Sequence, residues 1–256
     1  MTSPNATSLE VLFTPADFAA LNRRNLDDTV AVVFDVLRAT STIVTALANG
    51  AEAVIPVAEI PEALALREKQ PGVLLAGERD GLRIRAELTG GVGFDLGNSP
   101  REFTRERVAG KTIVASTTNG TRAFRACAHA NQVLAASFLN LKATADYIRA
   151  RPAAHLLVVC SGTMEQTAYE DILAAGALCD VLWAGYERGE ISDAAQVARE
   201  IYHAAWKDLL AAMRHSRNAR RLAAIAELRE DIAFCLRRDA FPLVAVLHPD
   251  GRIAKV

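Results

Sequence analysis

The sequence lacks the features that mark several classes of protein. Its cysteines, Cys127, Cys160, Cys179 and Cys235, are scattered, and no Cys–X–X–Cys pair or Cys/His zinc spacing occurs. No apolar run approaches the roughly 18 residues that cross a membrane, and the N-terminal residues do not resemble a signal peptide. We therefore expect a cytoplasmic protein with free thiols that does not bind membranes.

Neither the net charge nor the distribution of the histidines indicates a binding partner. The net charge is −1, which gives no bulk attraction to nucleic acid. A basic run occupies residues 214–221, but no aromatic residues interrupt it, so we interpret it as a solvated helical turn. The five histidines do not cluster, which argues against a histidine metal site. We expect no nucleic-acid partner.

Several known phosphate-handling motifs are absent. There is no GxxxxGK[ST] loop, no GxGxxG after a strand and no GxSxG elbow. Leu37 stands where a haloacid-dehalogenase-type phosphatase has its second aspartate. Gln166 stands six residues after Cys160, where a cysteine phosphatase has arginine. A phosphate site in this chain must therefore be built from other residues.

Apolar runs alternate with helical patterns along the chain. Residues 29–34 are continuously apolar or β-branched, which is typical of a strand buried on both faces. The alternation predicts a three-layer α/β/α fold with a mainly parallel sheet, and a helical segment near the C-terminus that begins with a long helix from Ser192 to about His215. We expect a single domain over 1–256. Strand–turn–helix patterns beginning near residues 32, 113 and 157 allow an internal duplication, with a boundary between 110 and 150.

A polar turn follows the buried strand at 29–34. Ligands of open α/β sheets bind at the carboxyl ends of strands, and helix N-termini there favour anions. Asp35 can bind a cation or transfer a proton, and Arg38 can hold an oxyanion. Thr40, Ser41 and Thr42 add hydroxyls. The alternative of equal weight is a purely structural turn, in which Asp35 bonds the backbone and Thr40 caps the helix.

Similar turns follow other predicted strands, and each has a structural alternative. An anion site and a plain Asn-Gly turn are equally favoured for Thr117, Thr118, Asn119, Gly120, Thr121 and Arg122. Ser161, Gly162 and Thr163 precede Glu170 and Asp171, which either bind a hard cation or, slightly favoured, complement a helix dipole. Glu78 and Arg79 form either a site or a surface ion pair. Asn98 and Ser99 form either a site or a turn before Pro100.

Taken together and in order, these motifs resemble the 2-phosphosulfolactate phosphatase family. The resemblance rests on residues 35–51, 76–79, 94–100, 117–122, 137–140, 160–163, 170–176 and 231–235, and it extends over residues 30–246. It implies an α/β enzyme that requires Mg²⁺ and hydrolyses a phosphate monoester. The family's named substrate is (2R)-2-phospho-3-sulfolactate, which gives 3-sulfolactate and phosphate on the way to coenzyme M.

The resemblance leads to a hypothesis for the site. Mg²⁺ binds Asp35 with one or more of Glu78, Glu170 and Asp171; Asp35 acts as ligand or nucleophile. The turns at 40–42 and 117–121 hold the phosphate, with Asn98, Ser99 and residues 161–163 also binding substrate. Arg38, Arg79 and Arg122 neutralise charge. The competing hypotheses are a phosphatase of another acidic metabolite, a non-catalytic anion-binding or regulatory protein, and an assembly protein. A homodimer is compatible with the alanine-rich helices.

Overall fold

Strands and helices alternate along most of the chain, as the sequence predicted. The computed structural model describes residues 7–117 and 119–256. The strands are β1 (Ser8–Leu12), β2 (Thr29–Phe34), β3 (Ala53–Val57), β4 (Leu74–Arg79), β5 (Leu82–Arg83), β6 (Thr112–Ser116), β7 (Gln132–Ala136), β8 (His155–Cys160), β9 (Glu190–Ile191), β10 (Ala245–Leu247) and β11 (Ile253–Lys255). The helices are α1 (Pro15–Ala19), α2 (Ala39–Ala48), α3 (Ile60–Lys69), α4 (Arg105–Val108), α5 (Gly120–Cys127), α6 (Leu141–Ala150), α7 (Tyr169–Tyr186), α8 (Asp193–Ala205), α9 (Leu209–Ala212), α10 (Arg217–Ala223) and α11 (Arg229–Cys235).

Strand β2 shows why the fold has three layers. All six of its residues are buried, because successive side chains point to opposite faces of the sheet. Val30, Val32 and Phe34 pack in a core that includes α6, α7 and α8. Ala31 and Val33 pack in a second core that includes α2 and α5. The prediction of a mainly parallel sheet with helices on both faces is confirmed.

The sheet contains two groups of parallel strands. Its order is β5-β4-β6-β3-β11-β10-β7-β2-β8-β1-β9. Three successive pairings, β3 with β11, β11 with β10 and β10 with β7, are antiparallel. The group β4-β6-β3 therefore runs opposite to the group β7-β2-β8-β1-β9.

Twist brings the ends of these opposed groups together. Five steps separate β2 from β6 in the sheet, and at about 20–25° of twist per step they accumulate roughly 100–125°. Contacts show the result. Gly120, which begins α5 after β6, is so close to Ala39 that a Cβ atom added to the glycine would lie 2.9 Å from the Cβ atom of Ala39. The carboxyl ends of β2 and β6 therefore meet on one side of the molecule.

Two regions differ from the sequence-based expectation. The helix expected over residues 192–215 ends at Ala205, because the Asp208 side chain accepts a hydrogen bond from the Ala211 amide at 2.9 Å and starts α9. The glycine-rich sequence from Gly77 to about Pro100 predicts a long loop, but the stretch begins with the end of β4 and a hairpin to β5. Asp80 and Gly81 form its two-residue turn with φ of 55° and 83°. Positive φ at both positions suits a right-twisted hairpin, and Asp-Gly is a sequence signal for it.

The described residues also bear on two simpler expectations. All four cysteines are buried and none is in a disulfide, so the expectation of free thiols is confirmed. Within residues 7–117 and 119–256, no helix has the length and apolar character needed to cross a membrane.

Candidate active site

An open cleft lies at the carboxyl ends of β2, β4, β6 and β8. Its volume is about 700 Å³ when the solvent space at its mouth is counted. It is where the two strand groups converge, so it collects turns that are distant in sequence. Of the residues singled out from the sequence, those that line it are Asp35, Arg38, Glu78, Asn98, Thr117, Asn119 and Thr163.

Asp35 is the buried carboxylate at the base of this cleft. It directly follows β2, and its Oδ1 accepts a hydrogen bond at 3.1 Å from the amide of Ala39, the first residue of α2. Burial raises its pKa from 3.8 to about 7, against the opposing effect of the Ala39 amide; the negative charges of Glu78 and Glu170 raise it further. Near neutral pH, Asp35 is thus poised between its protonated and charged forms.

Two further carboxylates, those of Glu170 and Asp171, lie near Asp35 at the start of α7. Asp171 accepts hydrogen bonds from the Val36 amide at 2.8 Å and the Gly162 amide at 3.2 Å. Burial raises the pKa of Asp171 well above its usual value, and the charges of Asp35 and Glu170 add to the effect. We call Asp35, Glu170 and Asp171 the acidic cluster; each is no more than 8% exposed.

Glu170 is fixed by residues from the C-terminal helical region. Its Oε2 accepts a hydrogen bond from Ser216 Oγ at 2.6 Å, and its Oε1 accepts one from Asn218 Nδ2 at 2.7 Å. These bonds join the first turn of α7 to α10, although 46 or more residues separate them in sequence. The acidic cluster is therefore tied to the helix that covers one side of the cleft.

Glu78 belongs to the other strand group. It lies in β4, and its Oε2 accepts a hydrogen bond from the Gly81 amide at 2.8 Å across the β4–β5 turn. Although Glu78 and the acidic cluster together contribute four carboxylates to this region, no group of three or more His, Cys, Asp or Glu side chains in the described part of the chain has the arrangement of a preformed metal site. An ion bound here would have few protein ligands.

Arg38 is a buried cation beside the acidic cluster. Its Nη1 donates to Asp231 Oδ2 at 2.9 Å, and its Nη2 donates to the Gly81 carbonyl at 2.7 Å. The Arg38 and Asp231 side chains are 3% and 0% exposed. Ser99 Oγ donates to the other Asp231 oxygen at 2.7 Å. The arginine is thus held rigidly while it lines the cleft.

The hydroxyls of α2 bond to the backbone. Thr40 Oγ1 accepts from the Asp35 amide at 3.0 Å, and Ser41 Oγ donates to the Val36 carbonyl at 2.8 Å. Thr42 Oγ1 donates to the Asn98 carbonyl at 2.9 Å. None of the three lines the cleft. These bonds fix Asp35 and the loop at Asn98. The expectation that Thr40 caps the helix is wrong, because Thr40 is the second residue of α2 and its hydroxyl bonds back to the Asp35 amide.

Only some residues of the turn after β6 line the cleft. Thr117 and Asn119 line the cleft, whereas Thr118 lies outside the described residues. Thr121 Oγ1 donates to the Val57 carbonyl at 3.2 Å. A Cβ atom added to Gly120 would lie 3.1 Å from Asp35 Oδ2, so glycine permits the close approach of α5. Arg122 is half-exposed and pairs with Glu165 at 2.5 Å, away from the cleft lining.

The other predicted site residues lie near the cleft without lining it. Arg79 donates to Ser116 Oγ at 3.1 Å and to the Glu78 carbonyl at 2.7 Å. Ser161 Oγ is buried and has no hydrogen-bond partner. Thr163, which does line the cleft, accepts a hydrogen bond on Oγ1 from Asn218 at 2.7 Å. The turn after β8 is therefore bound to α10.

Sequence reasoning missed several cleft residues. Asn218 and Arg221 belong to the basic run, which is helical and carries an exposed Arg221 as a solvated helical turn would, and α10 also brings both residues to the cleft. Asp80 also lines the cleft. Its Asp-Gly turn is a hairpin signal that the expectation of a loop overlooked. The basic run included Asn218 and Arg221, and the family resemblance included Asp231, but no local pattern indicated their roles, because these depend on contacts with distant residues.

Comparisons with known proteins agree with this geometry. The 2-phosphosulpholactate phosphatase family model matches residues 17–250. A relative from Thermotoga petrophila is 42% identical over 217 residues, covering 85% of this chain and 88% of the relative. One from Caldanaerobacter subterraneus is 40% identical, covering 90% and 92%. One from Carboxydothermus hydrogenoformans is 37% identical, covering 96% and 95%. All three are named probable 2-phosphosulfolactate phosphatases.

The family match and the names of these relatives accordingly give the class of protein, a phosphoric monoester hydrolase. The chain belongs to the 2-phosphosulfolactate phosphatase family, and the resemblance read from its motifs is confirmed.

Proposed function

We propose that the protein hydrolyses (2R)-2-phospho-3-sulfolactate to 3-sulfolactate and phosphate with the help of Mg²⁺. The names of its relatives support the substrate. The observation that carries the proposal is the acidic cluster, whose mutual repulsion and burial raise the pKa values of Asp35 and Asp171 beside a cleft that Arg38 also lines. A divalent cation relieves that repulsion, and an arginine holds an anionic substrate.

The residues present fit Mg²⁺ in its usual binding mode. Mg²⁺ prefers oxygen ligands and commonly takes one or two carboxylates, with water and substrate phosphate completing its shell. Asp35 and Glu78 line the cleft from opposite strand groups and would hold the ion. When bound, Mg²⁺ polarises phosphoryl oxygens and lowers the pKa of coordinated water. Glu170 and Asp171, whose oxygens accept protein hydrogen bonds, would favour the cation through their charge.

The remaining groups would bind and orient the ester. Arg38 keeps its guanidinium fixed through Asp231 and Gly81, and we assign it to the phosphate. Asn98, Asn119 and Thr117 supply polar groups at the other strand ends. Because Asp35 has a pKa of about 7, it can hold or release a proton at physiological pH before the ion binds.

The first experiment measures hydrolysis of phosphosulfolactate and of a panel of other phosphate esters, with Mg²⁺ and with EDTA. We expect the highest kcat/KM for phosphosulfolactate and loss of turnover in EDTA. Faster hydrolysis of another acidic ester would assign a different metabolite. Tight binding without turnover would favour the anion-binding protein, and turnover that ignores EDTA would remove the metal.

The cellular setting is part of the same proposal. The four unpaired cysteines favour a reducing compartment, so we propose a cytoplasmic enzyme whose product would serve coenzyme M synthesis. A homodimer remains a prediction, which light scattering over a range of protein concentrations tests directly.

A further inference from the structure

The three arginines of helix α10 differ in the groups that they contact. Arg217 donates to Gln166 Oε1 and to the Thr163 carbonyl, and Arg220 donates to the Arg214 carbonyl at 2.7 Å. Arg221 instead lines the cleft, where its guanidinium is 3.9 Å from the carboxylate of Asp80. The Arg221 and Asp80 side chains are 48% and 89% exposed. This loose, solvated pair is easily exchanged for another anion.

Helix α10 is nevertheless anchored. Asn218 lies three residues before Arg221, on the same face of the helix, and donates to both Thr163 Oγ1 and Glu170 Oε1 at 2.7 Å. Ser216 caps the helix by accepting from the Ala219 amide at 2.9 Å, while its hydroxyl donates to Glu170. The stem of Arg221 therefore starts from a fixed place, and its guanidinium is accessible from the cleft.

The two arginines in the cleft lining are suited to different tasks. Arg38 is 4% exposed and bonded to Asp231, close to Asp35, whereas Arg221 is exposed and lies on another element. We propose that Arg221 is a specificity-determining residue that binds the carboxylate or sulfonate of the substrate, the acidic groups remote from the phosphate. This inference rests on the proposed function, because that substrate carries two acidic groups besides phosphate.

The test compares ligands that differ in these remote groups. The substitutions are Arg221→Gln and, as a control, Arg220→Gln, which removes the same charge from the same helix outside the cleft lining. The kcat/KM of Arg221→Gln for phosphosulfolactate should fall roughly 10- to 100-fold, the loss expected for one charge-assisted contact. Its kcat/KM for p-nitrophenyl phosphate should change by less than about threefold, and Arg220→Gln should match the wild type on both substrates.

Two further substitutions, one conservative at Arg221 and one at its partner Asp80, make the test more specific. Arg221→Lys keeps the charge without the planar fork and should recover part of the loss. Asp80→Asn removes the competing anion and should lower the KM for phosphosulfolactate. A parallel loss of Arg221→Gln on both substrates would indicate a structural role and overturn the inference, as would no loss on either.

A binding measurement separates this inference from the proposed function. Calorimetric titration with 3-sulfolactate, which carries both remote groups and no phosphate, needs no turnover. We expect weaker binding to Arg221→Gln than to the wild type and to Arg220→Gln. Equal affinity of all three, or no binding to the wild type, contradicts the role of Arg221 even if the wild type hydrolyses the ester. Arg221-dependent binding without hydrolysis by the wild type supports it while refuting the proposed activity.

Discussion

The acidic cluster and the Arg38–Asp231 pair are both buried charged groups beside one cleft, but they are compensated in opposite ways. Each Asp231 oxygen accepts a hydrogen bond, and its charge faces the guanidinium of Arg38. The acidic cluster brings three carboxylates together, so burial and repulsion raise the pKa values of Asp35 and Asp171. The pair therefore compensates its own charges and orients Arg38, whereas the carboxylates of the acidic cluster repel one another, and a bound cation would relieve that repulsion.

The largest expected effect is on activity when the acidic cluster is altered. Asp35→Asn should reduce kcat at least about 10³-fold, because the substitution removes the negative charge proposed to hold the ion that polarises the phosphoryl group. It should remain folded, since the asparagine Oδ1 can accept the same hydrogen bond from the Ala39 amide. Steady-state kinetics and circular dichroism check both parts. Retained activity would remove Asp35 from the chemistry.

Breaking the Arg38–Asp231 pair should lower the free energy of unfolding. Asp231→Ala leaves Arg38 buried without its counter-ion, and breaking such a buried pair costs about 3–5 kcal/mol of unfolding free energy. Urea denaturation measures the change, with Glu10→Gln in the exposed Glu10–Arg24 pair as the control, for which we expect a far smaller effect. Similar losses in the two variants would mean that burial does not distinguish these pairs.

Removing a charge from the acidic cluster should raise the stability of the protein, the opposite of the effect expected for the Arg38–Asp231 pair. The folded-state pKa of Asp35 is about 7 against an ordinary 3.8, so its contribution to stability is fully present below pH 3.8 and is lost as the pH rises to about 7. In EDTA, Asp35→Asn should therefore be more stable than the wild type at pH 8, by at most about 4 kcal/mol, with little difference near pH 4. Thermal unfolding across this range provides the measurement.

Magnesium sharpens the same comparison. Added Mg²⁺ should raise the Tm of the wild type at pH 8 and leave that of Asp35→Asn nearly unchanged, because ligands that bind only the folded state stabilise it. An equal rise in both variants would show that any bound ion does not depend on Asp35.

The smallest effect concerns the close approach of α5 to the acidic cluster. Gly120→Ala would place a Cβ atom 2.9 Å from Ala39 Cβ and 3.1 Å from Asp35 Oδ2, so α5 must shift and we expect a loss of activity of roughly tenfold. Gly185→Ala in α7, where the added atom meets nothing within 4 Å, is the control. It should raise the unfolding free energy by about 0.5–1 kcal/mol without changing activity. Equal activity in both variants would show that this contact does not matter.

Local patterns predicted the elements because their causes are local. The apolar run of β2 and the strand–helix alternation are each set by neighbouring residues. Where a nearby side chain interrupts a pattern, as Asp208 does after α8, the prediction of one long helix is wrong. The placement of Asp35 at the end of β2 follows from the same local pattern.

What the sequence alone determined is the fold class, the family and the list of polar turns at strand ends. Tertiary structure decided which of those turns meet, since sheet twist joins strand groups that run in opposite directions. It also placed Asp231 against Arg38 across 193 residues, and α10 beside Glu170. Burial and repulsion, which set the pKa of Asp35, are properties of that assembled environment and have no signature in the neighbouring residues.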